Sequence, residues 1–304
     1  MSEIVDLSKL PAPKVLEELD YETLLEERKE KFLSLYKNEG ERAIMAARLE
    51  LESEPITKLL EENAYLELLL RSQINDRAKA VMLAFATGSD LDHLGALFGV
   101  ERLLIQAENL TTNPITEAEY ENDERFRTRI QMSLEKLTTA GSRGSYEYHT
   151  LTASPLIKDV NVYSPIPGTV VVILLSKAEN GIADSNLINK VRDSLNDERV
   201  RPLTDTVQVK SAEILNYQIN ADITLYPSVL ERIVMDNVQN AVKAYTLKQH
   251  HLGLDITLSG IYAAIHQEGI QNVVLSSPAQ NIVVNHTQAA YCTEITINVV
   301  GKDE

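Results

Sequence analysis

The chain has 304 residues, 44% of them apolar and 24% charged, and carries a net charge of −16. That length supports two or three domains with cores of their own, and the composition is that of an ordinary globular protein. The acidity, the absence of Trp and an aromatic content of only 5% argue against phosphate-backbone binding and against stacking platforms for nucleic acid or sugars.

In chain order, the first residues hold Glu3 and Asp6 and no apolar h-region, so no signal peptide is expected. No apolar run reaches the roughly 18 residues of a membrane span, and a cytosolic location when made is the expectation. Pro11 and Pro13 bias their predecessors toward extended backbone. Asp20 caps a helix expected to run to about Asn38, with Leu24, Phe32, Leu35 and Tyr36 as its apolar positions and Gly40 as its stop. A second helix is expected over 41–52. Residues 1–70 hold 17 acidic and 9 basic side chains, a charge excess consistent with a solvated surface.

The long segment that follows is the most informative. Pro55 suits a first helical turn, and nothing breaks the pattern until Ala86, after which Gly88 is expected to end the helix in a left-handed conformation. Some 30 residues at about 1.5 Å each span roughly 45 Å. Leu59, Leu60, Ala64, Leu68 and Leu69 form one apolar stripe. Leu66, Leu70, Ile74, Ala78 and Met82 widen it. A solvated helix buries one stripe, so the wider surface implies several neighbours. Leu59, Leu60, Tyr65, Leu66, Leu69, Leu70 and Ile74 are therefore candidate interface residues.

Residues 103–122 are polar and read as a linker or extended arm, with Asn109 and Pro114 as a candidate hinge. Asn122 or Asp123 caps a helix expected to reach Thr139, with Asp123 four residues before Arg127 as a possible ion pair. Gly141 closes it and 142–152 forms another. From residue 156 the period becomes that of strands. Two β-rich runs flank Pro165-Ile166-Pro167-Gly168, the chemistry of a hairpin turn. A helix over 187–195, strands over 204–214 and 214–227, helices over 228–247 and 259–268 and strands over 271–277 and 293–300 complete the chain. The expected fold is multidomain α+β. A helical N-terminal third (1–110) precedes two small α+β units (111–210 and 211–304) with mainly antiparallel sheets.

Several residues were weighed for chemistry. Asp90 and Asp92 could chelate a cation, but they begin a helix just after Gly88. A helix cap and a favourable dipole contact explain them better. His250, His251 and His266 lack a carboxylate or Cys at a recognised ligand spacing, and His93 and His149 are isolated. The run 141–144 follows a helix, not a strand, and lacks the Lys-Ser/Thr ending of a phosphate loop. Glu67 lies four residues before Arg71, so pairing accounts for it more simply than acid–base work. Cys292 cannot form an internal disulfide and sits in an apolar strand-like run, as a small core residue does. The residues point to no catalytic group, cofactor or metal. The competing class is a carbohydrate-active hydrolase using Asp90, Asp92 or Glu side chains. Asp90, Asp92, Gly88 and Gly141 are assigned structural, helix-terminating roles.

Taken in order, a set of blocks resembles the baseplate J-like family over almost the whole chain. The N-terminal blocks are Leu10-Pro11-Ala12-Pro13, Leu16-Glu17-Glu18-Leu19-Asp20, Glu54-Pro55, Leu59 to Tyr65, Asn75, Ala86 to Asp92 and Arg102. Further on come Arg127-Thr128-Arg129-Ile130, Ala140-Gly141-Ser142, Tyr146, Asp159-Val160, Arg201-Pro202 with Asp205, and Leu252-Gly253-Leu254-Asp255-Ile256. Leu66 departs from the pattern, which often has Arg there. The resemblance implies a structural wedge protein of a contractile-tail baseplate, located in the virion and assembled in the bacterial cytoplasm. It also implies partners: a second copy and a tail-protein-I-like protein in a helical core bundle, a lysozyme-fold wedge protein, neighbouring wedges in a ring, and the central spike hub around which the ring helps to trigger sheath contraction. No nucleic-acid or membrane partner is implied. A tailocin or defective prophage would use the same wedge.

Overall fold

The structure is a computed structural model and describes residues 5–11, 13–138, 141–178 and 180–303. Ala12 and Ala140 of the family-like blocks, and the expected helix end at Thr139, lie outside the described residues. The chain divides into two compact units, Val5–Glu101 and Arg102–Glu304.

The first unit is helical. Helix α1 (Tyr21–Leu33) starts where Asp20 accepts hydrogen bonds from the Thr23 amide at 2.8 Å and its hydroxyl at 2.7 Å. It stops five residues before the expected end. Gly40 is not its terminator: Asn38 caps a new helix, α2 (Glu39–Leu49), and Gly40 lies in that helix's first turn, donating to Asn38 at 2.8 Å. Helix α3 (Pro55–Ala80) is 26 residues long, about 39 Å at 1.5 Å per residue. It ends six residues short of Ala86. The amides of Met82 and Phe85 bond three residues back, closing tight turns after the helix, and Ala86 is buried. Helix α4 (Gly88–Leu97) follows. Helix α1 packs along α3 through Leu24, Leu25 and Ala64, with Tyr21, Leu60 and Leu68 beside them.

The second unit opens with a two-stranded ribbon, β1 (Leu104–Gln106) and β2 (Glu119–Tyr120), then α5 (Asp123–Gln131), a 3-10 turn over Met132–Leu137, and α6 (Arg143–Ala153). Ser142 caps α6, accepting from the Ser145 amide at 3.1 Å. Strands β3 (Ile157–Ile166) and β4 (Thr169–Ser176) form the expected hairpin, and Gly168 turns it at φ 77°. After α7 (Ser185–Leu195), β5 (Thr206–Ser211) returns parallel to β4, giving the order β3-β4-β5. Then come β6 (Glu213–Leu225), α8 (Glu231–Gln249), α9 (Leu258–Ile265), β7 (Ile270–Ser277) and β8 (Gln288–Lys302), with β6 central in the order β7-β6-β8. The fold is α+β, and three of the five strand pairings among the described residues are antiparallel.

The two sheets are covered by helices in the same manner. One core joins the β3–β4–β5 sheet to α6 and α7 through Leu174, Val172, Ile157, Tyr146, Val191 and Leu195. The other joins β6 to α8 and α9 through Ile219, Ile223, Val238, Val242, Ile261 and Ile265. A third cluster ties the sheets together: Val171, Ile173 and Leu175, on the opposite face of β4, meet Ala212, Leu252 and Ala289. The alternation of β4 is thus buried on both faces, as a central strand requires.

Candidate functional site

The long helix carries the clearest unfinished surface. Facing α1, it presents Leu60, Ala64 and Leu68, and Glu67 bonds both Arg28 of α1 and Arg71, the latter at 2.6 Å. Arg71 also reaches Glu17 at 3.1 Å, and Asn75 bridges the Glu17 backbone at 2.9 and 3.1 Å. The sequence expectation of a Glu67–Arg71 pair holds, and these two positions become part of a clamp on the segment before α1. The opposite side of the same helix is apolar and open. Leu59, Tyr65, Leu66, Leu69, Leu70 and Ile74 are all exposed, with Leu70 at 61% and Ile74 at 59%. Leu59, Leu66 and Leu70 share one line by helical spacing, flanked by Ile74 and Leu69. Leu60 is the exception among the candidate interface residues, because it packs against α1.

The stop after the long helix differs from expectation. Gly88 has φ 52°, yet it does not end α3. It opens α4, whose cap position belongs to Thr87. Asp90 lies in the first turn, where a carboxylate suits the positive end of the helix dipole. Asp92 is two residues further on and turned to another side. Both are exposed and do not converge as a chelating pair would.

Asn109 and Pro114 sit on the ribbon, not on a free linker. Asn109 and Thr116 exchange backbone hydrogen bonds at 2.8 and 3.1 Å, and the Asn109 carboxamide accepts from Thr111. The division between compact units falls earlier, at Glu101–Arg102.

Three polar constellations anchor the second unit. At the first, Glu121 is fully buried and its carboxylate takes ion pairs from Arg125 and Arg129 and a 3.0 Å bond from the Leu103 amide. Arg125 also donates to the carbonyls of Leu151, Ser154 and Ile157 at 2.6, 2.8 and 3.2 Å. Arg102 lies over the Phe126 ring at 4.7 Å, pairs with Asp123 at 2.8 Å and donates to the Glu121 carbonyl at 2.8 Å. Asp123 therefore reaches back to Arg102, a partner that the expected Asp123–Arg127 spacing did not suggest. Glu121 was missed altogether, although it stands four and eight residues before its two arginines.

At the second, Gly141 has φ 69° and no room for a side chain. A Cβ there would lie 2.7 Å from Pro202 Cγ and 3.0 Å from Asp205 Oδ2. Tyr146 donates to Asp205 at 2.9 Å, and burial together with that carboxylate pushes the phenol well above its ordinary range. Arg201 donates to the Asp205 carbonyl at 3.2 Å. Gly141 follows a 3-10 turn and precedes the Ser142 cap, so it seats the start of α6 against the 201–205 turn. It does not close an α-helix.

At the third, Asp159 on β3 accepts from His251 at 3.1 Å and from the Leu252 amide at 3.0 Å. His250 next to it is buried, with Nδ1 2.7 Å from the Ala290 carbonyl, and burial lowers its basicity. Asp255 accepts from the Val284 amide at 2.7 Å. Cys292 is half-buried and donates to the Glu294 carbonyl at 3.3 Å, and burial pushes its thiol up, away from a reactive thiolate.

Residues 52–109, 138–211 and 217–298 match, in turn, the baseplate J-like N-terminal domain, central domain and C-terminal domain. Baseplate protein J of Escherichia phage P2 is 48% identical over 301 residues, covering 99% of both chains. The chain belongs to the baseplate J-like family. Among solved structures, a chain of the anti-feeding prophage baseplate, determined by cryo-EM with six-fold symmetrisation, is similar with a TM-score of 0.42 at 12% identity, over 59% of this chain and 43% of that chain.

As a baseplate J-like protein, the chain has its scattered family-like blocks drawn together into the constellations above. Arg102 and Arg127 to Ile130 surround the first. Gly141, Tyr146, Arg201-Pro202 and Asp205 are the second. Asp159 and Leu252 are the third. These residues hold the body in shape. The apolar face of α3 belongs to the other compact unit, Val5–Glu101.

Proposed function

We propose that the chain is a structural wedge protein of a contractile-tail baseplate. Residues 1–110 form a core bundle, and 111–210 and 211–304 act as ring elements around a central hub. The observation that carries this reading is the line of Leu59, Leu66 and Leu70, open along the side of α3 away from α1. An apolar stripe of that kind on a long helix is completed by other helices, here a second copy of the chain and a tail-protein-I-like partner. A bundle of this type buries on the order of 2,000 Å² or more in obligate contacts. A lysozyme-fold wedge protein, neighbouring wedges and the spike hub complete the set of partners. The role is structural and not catalytic, and it is the same in a phage, a tailocin or a defective prophage.

Two copies meeting one partner cannot be equivalent. The hinge that lets one sequence take two poses is proposed in the polar segment 103–122, with Asn109 and Pro114 as its candidate residues. The test is the mass in solution of the purified chain, alone and mixed with candidate partners. Association is expected, and Leu66→Glu with Leu70→Glu abolishes it while the chain stays folded. A chain that remains monomeric and ignores every partner overturns the proposal.

A further inference from the structure

The two three-stranded sheets have four edge strands, β3 and β5 in one and β7 and β8 in the other. An unpaired edge is a template for another strand, and natural proteins interrupt or cover such edges. Three of the four are interrupted by irregularities of the kind that bulges make. The β3–β4 register shifts between Ile157 and Asp159 and again between Tyr163 and Ile166. Strand β7 skips a residue against β6 twice, and so does β8. Two of the three are also engaged from outside the sheet: Arg125 donates to the Ile157 carbonyl on β3, and the Gly253 amide to the Gln288 carbonyl on β8. Strand β5 is the exception. Its six residues pair with β4 from Thr169–Thr206 to Leu174–Ser211 without a shift.

The direction of the backbone groups defines what that edge offers. The Thr206 amide bonds the Gly168 carbonyl at 2.7 Å, and the Ala212 amide bonds the Leu174 carbonyl at 2.8 Å. Successive residues of a paired strand alternate in the side to which both of their backbone groups point. Thr206, Gln208 and Lys210 therefore aim theirs at β4, and Val207, Val209 and Ser211 aim theirs outward. Those three amides and three carbonyls have no hydrogen-bond partner among the described residues. The side chains of Val207 and Val209 belong to the core beneath the sheet, while Thr206, Gln208 and Lys210 are exposed. An incoming strand would meet a backbone edge already fixed in place by its own packing, so little ordering cost remains on this side.

The edge is complementary to itself. Two copies of β5 set antiparallel about a two-fold axis through Val209 put Val209 opposite Val209 and Val207 opposite Ser211, and the outward groups of both strands find partners. Lys210 is the one charge on the strand, and it selects the register. Centred on Val209, it stands opposite Gln208 of the other copy. A register centred on Lys210 would set two like charges against each other. The strand ends match as well. Leu203, 96% exposed, lies just before the Thr206 end. Ile182, also exposed, adjoins Ala183, whose amide bonds the Ser211 hydroxyl at 2.9 Å at the other end. Antiparallel pairing brings the Leu203 end of each copy to the Ile182 end of the other. We propose that β5 pairs with β5 of a second copy of the chain, joining two three-stranded sheets into one of six strands. Six residues of edge bury too little surface to hold two free chains together, so the pairing forms where copies are already held close. The proposal rests on the baseplate reading for that proximity and is separate from the contact made by α3.

The test is thiol trapping in the assembled particle. Gln208→Cys with Lys210→Cys changes two exposed positions and should melt as the parent does. Under mild oxidation or with a short bifunctional maleimide, the particle is expected to yield a dimer of the chain joined between position 208 of one copy and position 210 of the other, mapped by mass spectrometry. The free chain at the same concentration should yield far less. In the parent, amide exchange over 206–212 is expected to slow on assembly. A particle that contains the chain but gives no 208–210 dimer overturns this proposal alone. Slowed exchange without that dimer means that a different protein covers the edge, and overturns it equally. A particle lacking the chain overturns the baseplate reading and this one with it.

Discussion

The two compact units handle their apolar residues in opposite ways. Among the described residues of Val5–Glu101, seven apolar residues are buried (Leu24, Leu25, Leu49, Ala64, Ala86, Leu91 and Val100) while 16 large ones are exposed. In Arg102–Glu304 the described residues include 37 buried apolar residues against 18 large exposed ones. Burial of apolar area is the dominant favourable term in folding. The second unit therefore contains its own stability, whereas the first leaves much of its apolar surface for contacts outside itself. A unit of the first kind suits the assembly role proposed for it, and one of the second kind holds its own shape.

That contrast can be broken at several points. The largest effect is expected at Glu121→Ala, which strands Arg125 and Arg129 without their carboxylate inside the second unit. Removing one partner of a buried pair costs about 3–5 kcal/mol, read as a lowered urea midpoint. A variant as stable as the parent would mean that water replaces the carboxylate and that the site is not dry. Next is Leu174→Ala, at a fully buried position between sheet and helices. It should cost about 2–5 kcal/mol, and Leu70→Ala in the first unit should stay within about 0.5 kcal/mol. Equal losses at the two positions would erase the distinction between the units.

A smaller effect is expected from acid. His149 and His250 are both held below the ordinary histidine range, chiefly by burial, and Lys158 and His251 add to this at His250. Lowered folded-state values mean that the unfolded chain binds protons first. The stability they confer is complete above about pH 6.5 and is lost as the pH falls through the folded values. Melting temperature measured from about pH 7.5 down to 5 should fall in the second unit, and His250→Gln should flatten the slope. A slope unchanged by that substitution removes His250 from the account. Smallest for the isolated chain is Leu66→Glu with Leu70→Glu, which should leave the melting temperature within a degree or two and remove association.

Local chemistry was legible in the sequence wherever a residue acts on its own neighbours. Asp20 caps the helix it was expected to cap, Asn122, one of two candidates, caps α5, Pro55 opens α3, and Gly168 turns the hairpin. What escaped depends on partners far along the chain. Nothing between Asp76 and Phe85 is a helix stop, yet α3 ends at Ala80 and tight turns at Met82 and Phe85 lead to the buried Ala86. The apolar residues of α3 were readable as too many for one stripe, but the assignment of Leu60 to α1 and of Leu70 to the open side needs the packing. Glu121 gave no signal because it sits in a polar stretch, where a carboxylate is expected to be solvated. The parallel returns of β5 and β8 also follow from tertiary contacts, since a strand's composition does not state its direction.

The pairing of β6 with β8 has a mechanical meaning. The strands run parallel through thirteen residue pairs, from Glu213–Gln288 to Leu225–Lys302. Tension between Glu213 and Lys302 pulls the two strands past each other and strains every rung of that ladder together. The same tension applied at Ile157 and Ser176, the open end of the β3–β4 hairpin, peels its rungs one at a time. A part that transmits force must resist stretching, and along this axis the β6–β8 ladder shares the load over all its rungs.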